Sequence, residues 1–312
     1  MVTTVLPPNE DGPVSSFLQF YDNPRTLVNY QRALQHYLHC FCGEITGSSA
    51  VLDDAASVYL SGLHLRNVQS DLMYFAGYLK KTYSPATAAL ELSIVFLWLD
   101  DMQVVIPHRL RKRVTGNLNT RHSIREEADM SKALFRKLYR ELPAWQSVLL
   151  LVLIGSGMRI GEAMHLRKEH LDWGRERVAV HIPASITKTK TPRTTFLTRE
   201  AASELKEFLD SRTDSDPRVF PYSAGAASAA LRKAADTLGL CPSEGNLRFV
   251  HWHMTRKWFL SRFSLFASKD VAEALAGHEG YLSKSYRRYT PREMLIQFKK
   301  AEPWLSILPG NL

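Results

Sequence analysis

The stretch Val148–Arg167, VLLLVLIGSGMRIGEAMHLR, decides how this chain is read. Its apolar run, Val148 to Ile154, is the longest in the sequence. It falls far short of the roughly 20 residues a membrane helix needs. GSGMRIG is not a G-x-G-x-x-G fingerprint and follows no strand pattern, so a dinucleotide-binding turn is a poor reading. The continuation, RIGEAMHLR, is helix-like and opens on Arg159. An arginine at a helix N-terminus combines a planar fork of donors with the positive end of the dipole, which suits a phosphate.

Downstream of that stretch, Val178, Val180 and Ile182 alternate, and Thr194 and Phe196 do so less clearly. ITKTKTPR lies between them, so the pattern predicts a β-hairpin with a mobile, Lys-rich connection. Helical signals return near Thr198 and Ser268. Thr290-Pro291-Arg292-Glu293 is a capping box with proline at the first helical position. Upstream, Asn23-Pro24 and Ser84-Pro85 are helix starts of the same kind. Leu27, Tyr30, Leu34, Leu38 and Phe41 recur at helical spacing, as do Leu90, Ile94, Leu97 and Trp98. Val68 to Tyr83 also reads as helix, and no alternating pattern precedes residue 110. The expected fold is mainly α, with a small antiparallel β-hairpin or sheet in the second half (α+β). The expected division is a flexible tail over 1–13, a helical domain over 14–108, a basic linker over 109–125 and a larger domain over 126–312.

The chain has 312 residues, 45% of them hydrophobic and 23% charged, which is enough for two domains and ordinary for globular protein. The net charge is +9. Residues 1–122 hold 10 Lys+Arg and 10 Asp+Glu, so the whole excess sits in 123–312. A basic half suggests a polyanionic partner, with nucleic acid first. The segment from Arg109 to Ser123, RLRKRVTGNLNTRHS, carries Arg109, Arg111, Lys112 and Arg113 and could lie along a phosphate backbone. The first residues lack the features of a secretory signal. The 3 cysteines, Cys40, Cys42 and Cys241, form no CxxC pair. Both features fit a reducing, intracellular compartment. A cytoplasmic, nucleoid-associated location is expected, or a nuclear one in a eukaryotic host. His36, His39, Cys40 and Cys42 cluster, and His251 and His253 form an H-x-H pair, but metal binding is the lesser use of either. No GxxxxGK[ST] loop is present, so no P-loop nucleotide site is expected.

What remains is a set of basic and imidazole residues ahead of late tyrosines: Arg159, Lys188, His253, Arg256, His278 and Tyr286. On a helix, His253 and Arg256 share a face and can address one ligand. Taken in order, SGMRIGEAMHLRKEHLD resembles the Arg-bearing box of the tyrosine site-specific recombinases, the phage integrase family. HMTR resembles that family's H-x-x-R box, and LAGH followed by a tyrosine resembles its terminal box. Order and approximate spacing agree across residues 126–300, and the helical pattern of 14–108 resembles the family's core-binding domain. The resemblance implies a two-domain clamp on duplex DNA with an integrase-like catalytic fold.

Residue by residue, the resemblance implies that Arg159 and Arg256 hold the non-bridging oxygens of the scissile phosphate. Lys188 would protonate the leaving 5′-oxygen, His253 would take part in proton transfer, and His278 would donate to the phosphate. Glu162 would support Arg159, and Tyr286 would attack phosphorus to form a 3′-phosphotyrosyl link. Counted back from Arg193, Lys188 rather than Lys190 falls at the family's lysine. Lys190 and Lys257 are then further DNA contacts; Lys257 stands where many relatives have histidine. The chemistry needs such a set, because preorganised cations offset the charge that builds up on phosphorus, and each donor is typically worth about 10²–10³ in rate. No cofactor, metal or ATP is called for, since the phosphotyrosine conserves the bond energy. Partners are expected to be double-stranded recombination sites, other copies of the chain in a tetramer on paired sites, and DNA-bending accessory proteins, with no membrane. The expected task is integration, excision or resolution of a mobile element. A type IB topoisomerase-like relaxing enzyme and a DNA-binding relative without catalysis are the rival readings.

Tyr281, Tyr286 and Tyr289 all follow His278, and their distance from it does not choose among them. Tyr289 and Met294 occupy the two positions of a hydrophobic staple around the Thr290 cap. That gives Tyr289 a structural task. Tyr286 has none and is flanked by Arg287 and Arg288, whose charge favours a phenolate, so Tyr286 is the preferred nucleophile. The C-terminal EPWLSILPGNL, with Trp304, Leu305, Ile307 and Leu308, either docks on a neighbouring copy or packs on its own domain.

Overall fold

The computed structural model describes residues 12–46, 49–116, 118, 129–240, 250–277 and 289–309. It divides into two compact units, residues 1–124 and 125–312.

The first unit is helical: α1 (Pro13–Leu18), α2 (Pro24–Cys42), α3 (Ser49–Ser61), α4 (Val68–Thr82), α5 (Pro85–Asp101) and α6 (His108–Gly116). Asn23 and Ser84 cap α2 and α5 with their side chains, each ahead of a proline at the first helical position. The stripe of α2 buries Leu34 and Leu38 fully, with Leu27, Tyr30 and Phe41 at its edge. On α5 the expected stripe is half right. Ile94 and Trp98 are buried, whereas Leu90 and Leu97 are exposed. This helix is apolar nearly all round, so periodicity does not single out the face that meets α2. Its buried face also carries Glu91, which bonds His36 Nδ1 at 2.8 Å and faces Arg32 at 3.5 Å. His36 is thereby occupied within the unit.

Two boundaries differ from the sequence expectation. The tail expected to run to residue 13 ends earlier, because Pro13 opens α1, a helix that precedes the one starting at Pro24. Asp53 of α3 holds it by accepting from the backbone N–H groups of Val14 and Ser15 at 2.7 and 2.9 Å. The linker expected from 109 begins instead as helix, through Gly116. Leu110 and Val114 lie one turn apart and pack into the first core, which pins this basic segment as an amphipathic helix. Residues 117 and 119–125 of that linker lie outside the described residues.

The second unit contains α7 (Lys132–Glu141), α8 (Ala144–Ser156), α9 (Ile160–His165), β1 (Leu171–Asp172), β2 (Ala179–Ile182), β3 (Arg193–Phe196), α10 (Arg199–Asp210), α11 (Ala224–Thr237), α12 (His253–Phe266), α13 (Lys269–Ala276) and α14 (Pro291–Leu305). Helix α8 is buried from Gln146 to its end, as its all-round apolar sequence requires. The three strands form an antiparallel sheet in the order β1-β2-β3, with Val180 opposite Thr195 and Ile182 opposite Arg193. Val180 and Ile182 face the core around α8, while Ala179 and Phe196 face a second core of α12, α13 and α14. The sheet is thus apolar on both sides. The β2–β3 connection is a compact one. Thr187 Oγ1 donates to Ala184 O and accepts from Thr191 N, both at 3.1 Å.

The C-terminal segment packs on its own unit. The side chain of Glu302 accepts from Arg177 Nε at 2.9 and 3.0 Å and from the Arg199 backbone N–H at 2.8 Å, and both side chains are buried. The Glu200 carboxylate accepts from the N–H groups of Ile307 and Leu308, each at 2.8 Å. Leu305 and Ile307 are fully buried, and Trp304 stacks on Phe266 at the surface. Of the two readings of this tail, the structure shows packing on its own unit, through Leu305, Ile307 and Leu308. Glu302→Ala is expected to lower unfolding free energy by about 3 kcal/mol, because it leaves the buried Arg177 charge with only the looser Glu176 pair at 3.9 Å. Urea denaturation read by far-UV circular dichroism measures it, and a loss below about 1 kcal/mol would contradict the assignment.

Candidate active site

The site grows from the end of one buried helix. Helix α8 stops at Gly157, whose φ of 67° is left-handed. A Cβ there would lie 2.3 Å from the Phe259 ring, so only glycine lets α12 come this close. The chain then turns into α9 with Arg159 as its N-cap residue. Glu162, at the third position of α9, reaches back to the Arg159 backbone N–H at 2.7 Å and accepts from Arg159 Nη1 at 3.1 Å. The HMTR segment opens α12. His253 begins that helix exposed, and Arg256, one turn on, is 2% exposed.

The arginines meet at the carbonyl end of α13. Its last turn leaves carbonyls without helical partners. Three consecutive ones are each taken by a different arginine: Leu275 O by Arg193 Nε at 3.0 Å, Ala276 O by Arg256 Nη1, and Gly277 O by Arg159 Nη2 at 3.3 Å. Arg256 Nη1 also donates to Gly157 O at 2.8 Å. Four separate segments thus converge: the α8–α9 turn, the start of β3, the first turn of α12 and the end of α13. Charge and helix dipole agree, since cations belong at the negative end of a helix.

The electrostatics favour an anion. Burial, then the neighbouring Arg159 and Arg193 charges, push the Arg256 guanidinium down to about 10. It stays charged at neutral pH, and among the described residues Glu162 is the acidic group that opposes the shift. Among the described residues, Arg256 Nη2 is buried without a hydrogen-bond partner. A buried donor of this kind is costly unless something accepts from it. Burial alone would raise Glu162, yet its bonds and charges from Arg193 and Arg159 outweigh that and hold it below the ordinary carboxylate range. Burial and then the charges of Arg256, Lys257, His251 and Arg159 lower the His253 imidazole, which is therefore neutral at pH 7.

Of the residues singled out by sequence, the fold joins Arg159 to Glu162 by hydrogen bonds and sets Arg159 and Arg256 on adjacent carbonyls, with His253 in their field. Lys188 and Lys190 are exposed on the β2–β3 turn, Lys190 at a φ of 54°. Among the described residues no hydrogen bond ties either to the arginines. His278, the residue after Gly277, and Tyr281 and Tyr286 lie outside the described residues. Tyr289 is half-buried and packs with Met294 against the second core, ahead of a capping box in which Glu293 N donates to Thr290 Oγ1 at 3.2 Å. On α6, Arg109, Lys112 and Arg113 are exposed, whereas Arg111 is paired with Asp100 and lies over the Phe96 ring. Arg193, to which the sequence assigns no role, belongs to the cluster as well. Sequence carries no local signal for its place here, because its partners Glu162 and Leu275 are 31 and 82 residues away.

Among the described residues no helix is long and apolar enough to cross a membrane. No curated protein sequence matches the chain significantly. Solved structures do. One is a substituted form of the Tn1549 transposon integrase in complex with transposon right end DNA, at 12% identity and a TM-score of 0.63, covering 92% of this chain and 97% of that one. Another is a lambda integrase dimer bound to a COC' core site, at 15% identity and 0.61, covering 88% and 96%. A third is a lambda integrase tetramer bound to a Holliday junction, at 14% and 0.61, covering 89% and 79%. At such identities the likeness is one of fold. The family model described as the phage integrase family matches residues 126–293, more than half of the chain, and the span includes every segment that supplies an arginine to the cluster. The chain belongs to the phage integrase family and is a site-specific tyrosine recombinase, a DNA strand-transfer enzyme.

Proposed function

We propose that Tyr286 is the nucleophile of this enzyme and that the arginine cluster binds the scissile phosphate. The observation that carries the reading is the buried Arg256 fork, held beside Arg159 at the carbonyl end of α13, with a donor left over. In the first step the Tyr286 Oη–P bond forms as the P–O5′ bond breaks. Neutral His253 takes the phenolic proton, and Lys188 supplies one to the leaving 5′-oxygen. Arg159 and Arg256 hold the two non-bridging oxygens, and His278 donates to one of them. Attack by a 5′-hydroxyl from a second duplex reverses the step and restores the tyrosine. Outside the site, exposed Arg109, Lys112 and Arg113 on α6 contact the DNA backbone, as do Lys190 and Lys257. Arg111 instead braces α6. The enzyme works as a tetramer on paired sites, a reading supported by the tetrameric assembly of its lambda integrase neighbour, and it integrates, excises or resolves a mobile element, with DNA-bending proteins assisting.

A two-site exchange assay tests this. Recombinant junctions between two marked duplexes are the expected product. Relaxation of supercoils without partner exchange would point to a topoisomerase-like enzyme, and failure to trap any covalent adduct on nicked suicide DNA would leave a DNA-binding protein.

The histidine gives a pH prediction. His253 titrates below its ordinary 6.5 in the DNA-free protein. Its neutral form is the proton acceptor, so activity is present above its pKa and lost as pH falls through it. The second-order cleavage rate at subsaturating DNA, which reports the free enzyme, is therefore expected to hold from neutrality past pH 6.5 and to fall only below it. His253→Gln should erase that acid limb. A limb centred above 6.5 in the wild type would exclude this assignment.

A further inference from the structure

Arg193 is nearly buried and makes the best bonds in the cluster. Its Nη1 and Nη2 donate to Glu162 Oε1 and Oε2 at 3.0 and 2.6 Å, a two-point match of fork to carboxylate. Its Nε holds Leu275 O at 3.0 Å. Its stem crosses Gly277 so closely that a Cβ there would sit 2.8 Å from Arg193 Cδ. Glu162 is shared: Arg159 reaches it with only one side-chain bond, at 3.1 Å, and keeps Nη2 turned to Gly277 O. Arg193 is 9% exposed at its side chain, whereas Arg159 is 26% exposed. Two arginines compete for one carboxylate, and the buried one holds it.

We propose that Arg193 is a positioning residue for strand cleavage: by engaging Glu162 at both oxygens, it prevents that carboxylate from closing a two-point pair with Arg159, and so leaves the Arg159 fork available to a DNA phosphate. The inference rests on the reading that Arg159 binds that phosphate. Glu162 is 2% exposed, and without Arg193 its carboxylate would need another cation. Arg159 is the one already bonded to it. Drawn fully onto Glu162, Arg159 would offer the phosphate a neutralised pair instead of a fork. A merely structural Arg193 would act through stability: Arg193→Met would lower the melting temperature, and the cleavage rate measured well below that temperature would stay within about threefold of wild type.

The test is a double-mutant cycle in the full-length chain. Arg193→Met, Glu162→Gln and the double variant are compared for single-turnover cleavage of nicked suicide DNA, duplex affinity and melting temperature. Arg193→Met is expected to slow cleavage by about 10- to 100-fold, the scale of a coupled pair, with duplex affinity within about threefold, since one phosphate contact among many is affected. Adding Glu162→Gln is expected to return at least about fivefold of that loss, because the amide cannot sequester Arg159 as an ion pair. A double variant no faster than Arg193→Met, or an Arg193→Met enzyme that cleaves like wild type, overturns the inference. If Arg193→Met does not fold, Arg193→Lys, alone and with Glu162→Gln, is read by the same criterion. Wild-type protein that forms no covalent adduct in this assay would instead overturn the phosphate-site reading beneath it.

Discussion

Tyr286→Phe is expected to abolish the covalent DNA adduct, lowering its formation by at least about 10⁴-fold, the scale on which removal of a nucleophile is felt. Duplex binding should stay within about twofold, because a single hydroxyl adds little to a contact surface dominated by phosphates. Tyr289→Phe is the control. Tyr289 is half-buried, packs with Met294 against the core of α12, α13 and α14, and directly precedes the Thr290 cap of α14. A ring held this way suits the entry of a helix better than travel to a phosphate, and loss of its hydroxyl should leave the adduct intact with at most a modest fall in melting temperature. Suicide DNA traps the adduct, and peptide mapping locates it. DNA on Tyr289 would show that the staple argument is wrong and that the nucleophile lies closer to α14.

Arg256→Lys should be nearly as damaging as outright removal. The substitution keeps a charge but loses the fork. In the structure one arm of that fork is spent on Gly157 O and Ala276 O, and the other, Nη2, has no partner among the described residues. A lysine can replace the first task or the second, not both, because its charge is a single point on a flexible stem. Cleavage is expected to fall by about 10²–10³, the usual cost of one preorganised donor to a developing oxyanion. Affinity for duplex DNA should change far less. Single-turnover rates at saturating protein separate the two. An Arg256→Lys enzyme within about tenfold of wild type would mean that the site needs positive charge and not planar geometry.

These expectations draw on two levels of information. Helix starts were legible at residue level, because capping is local: Asn23, Ser84, Thr198, Ser268 and Thr290 each cap the helix that sequence assigns to them. The H-x-x-R turn of α12 and the helix opened by Arg159 were legible from the spacing of their motifs instead, since no side-chain cap marks α12. The short α1 was not, since it owes its place to Asp53, some 38 residues on. The basic stretch after His108 read as linker because charge dominates it, and only the pocket that receives Leu110 and Val114 makes it a helix. The face of α5 and the destination of the C-terminal tail were open for a similar reason, because an apolar residue specifies burial but not the surface it is buried against.

By itself, then, the sequence carried the resemblance that points to the class of chemistry: cations, imidazoles and late tyrosines in the order of the phage integrase family. Tertiary structure alone decided how the cations share their work. Arg159, Arg193 and Arg256 lie on different elements, and only folding brings them to three successive carbonyls of α13 and two of them to one carboxylate. The physical reason is range. Capping and periodicity act over one or two turns, whereas the balance between a buried carboxylate and its arginines depends on burial and on distances of about 3 Å between residues far apart in the chain.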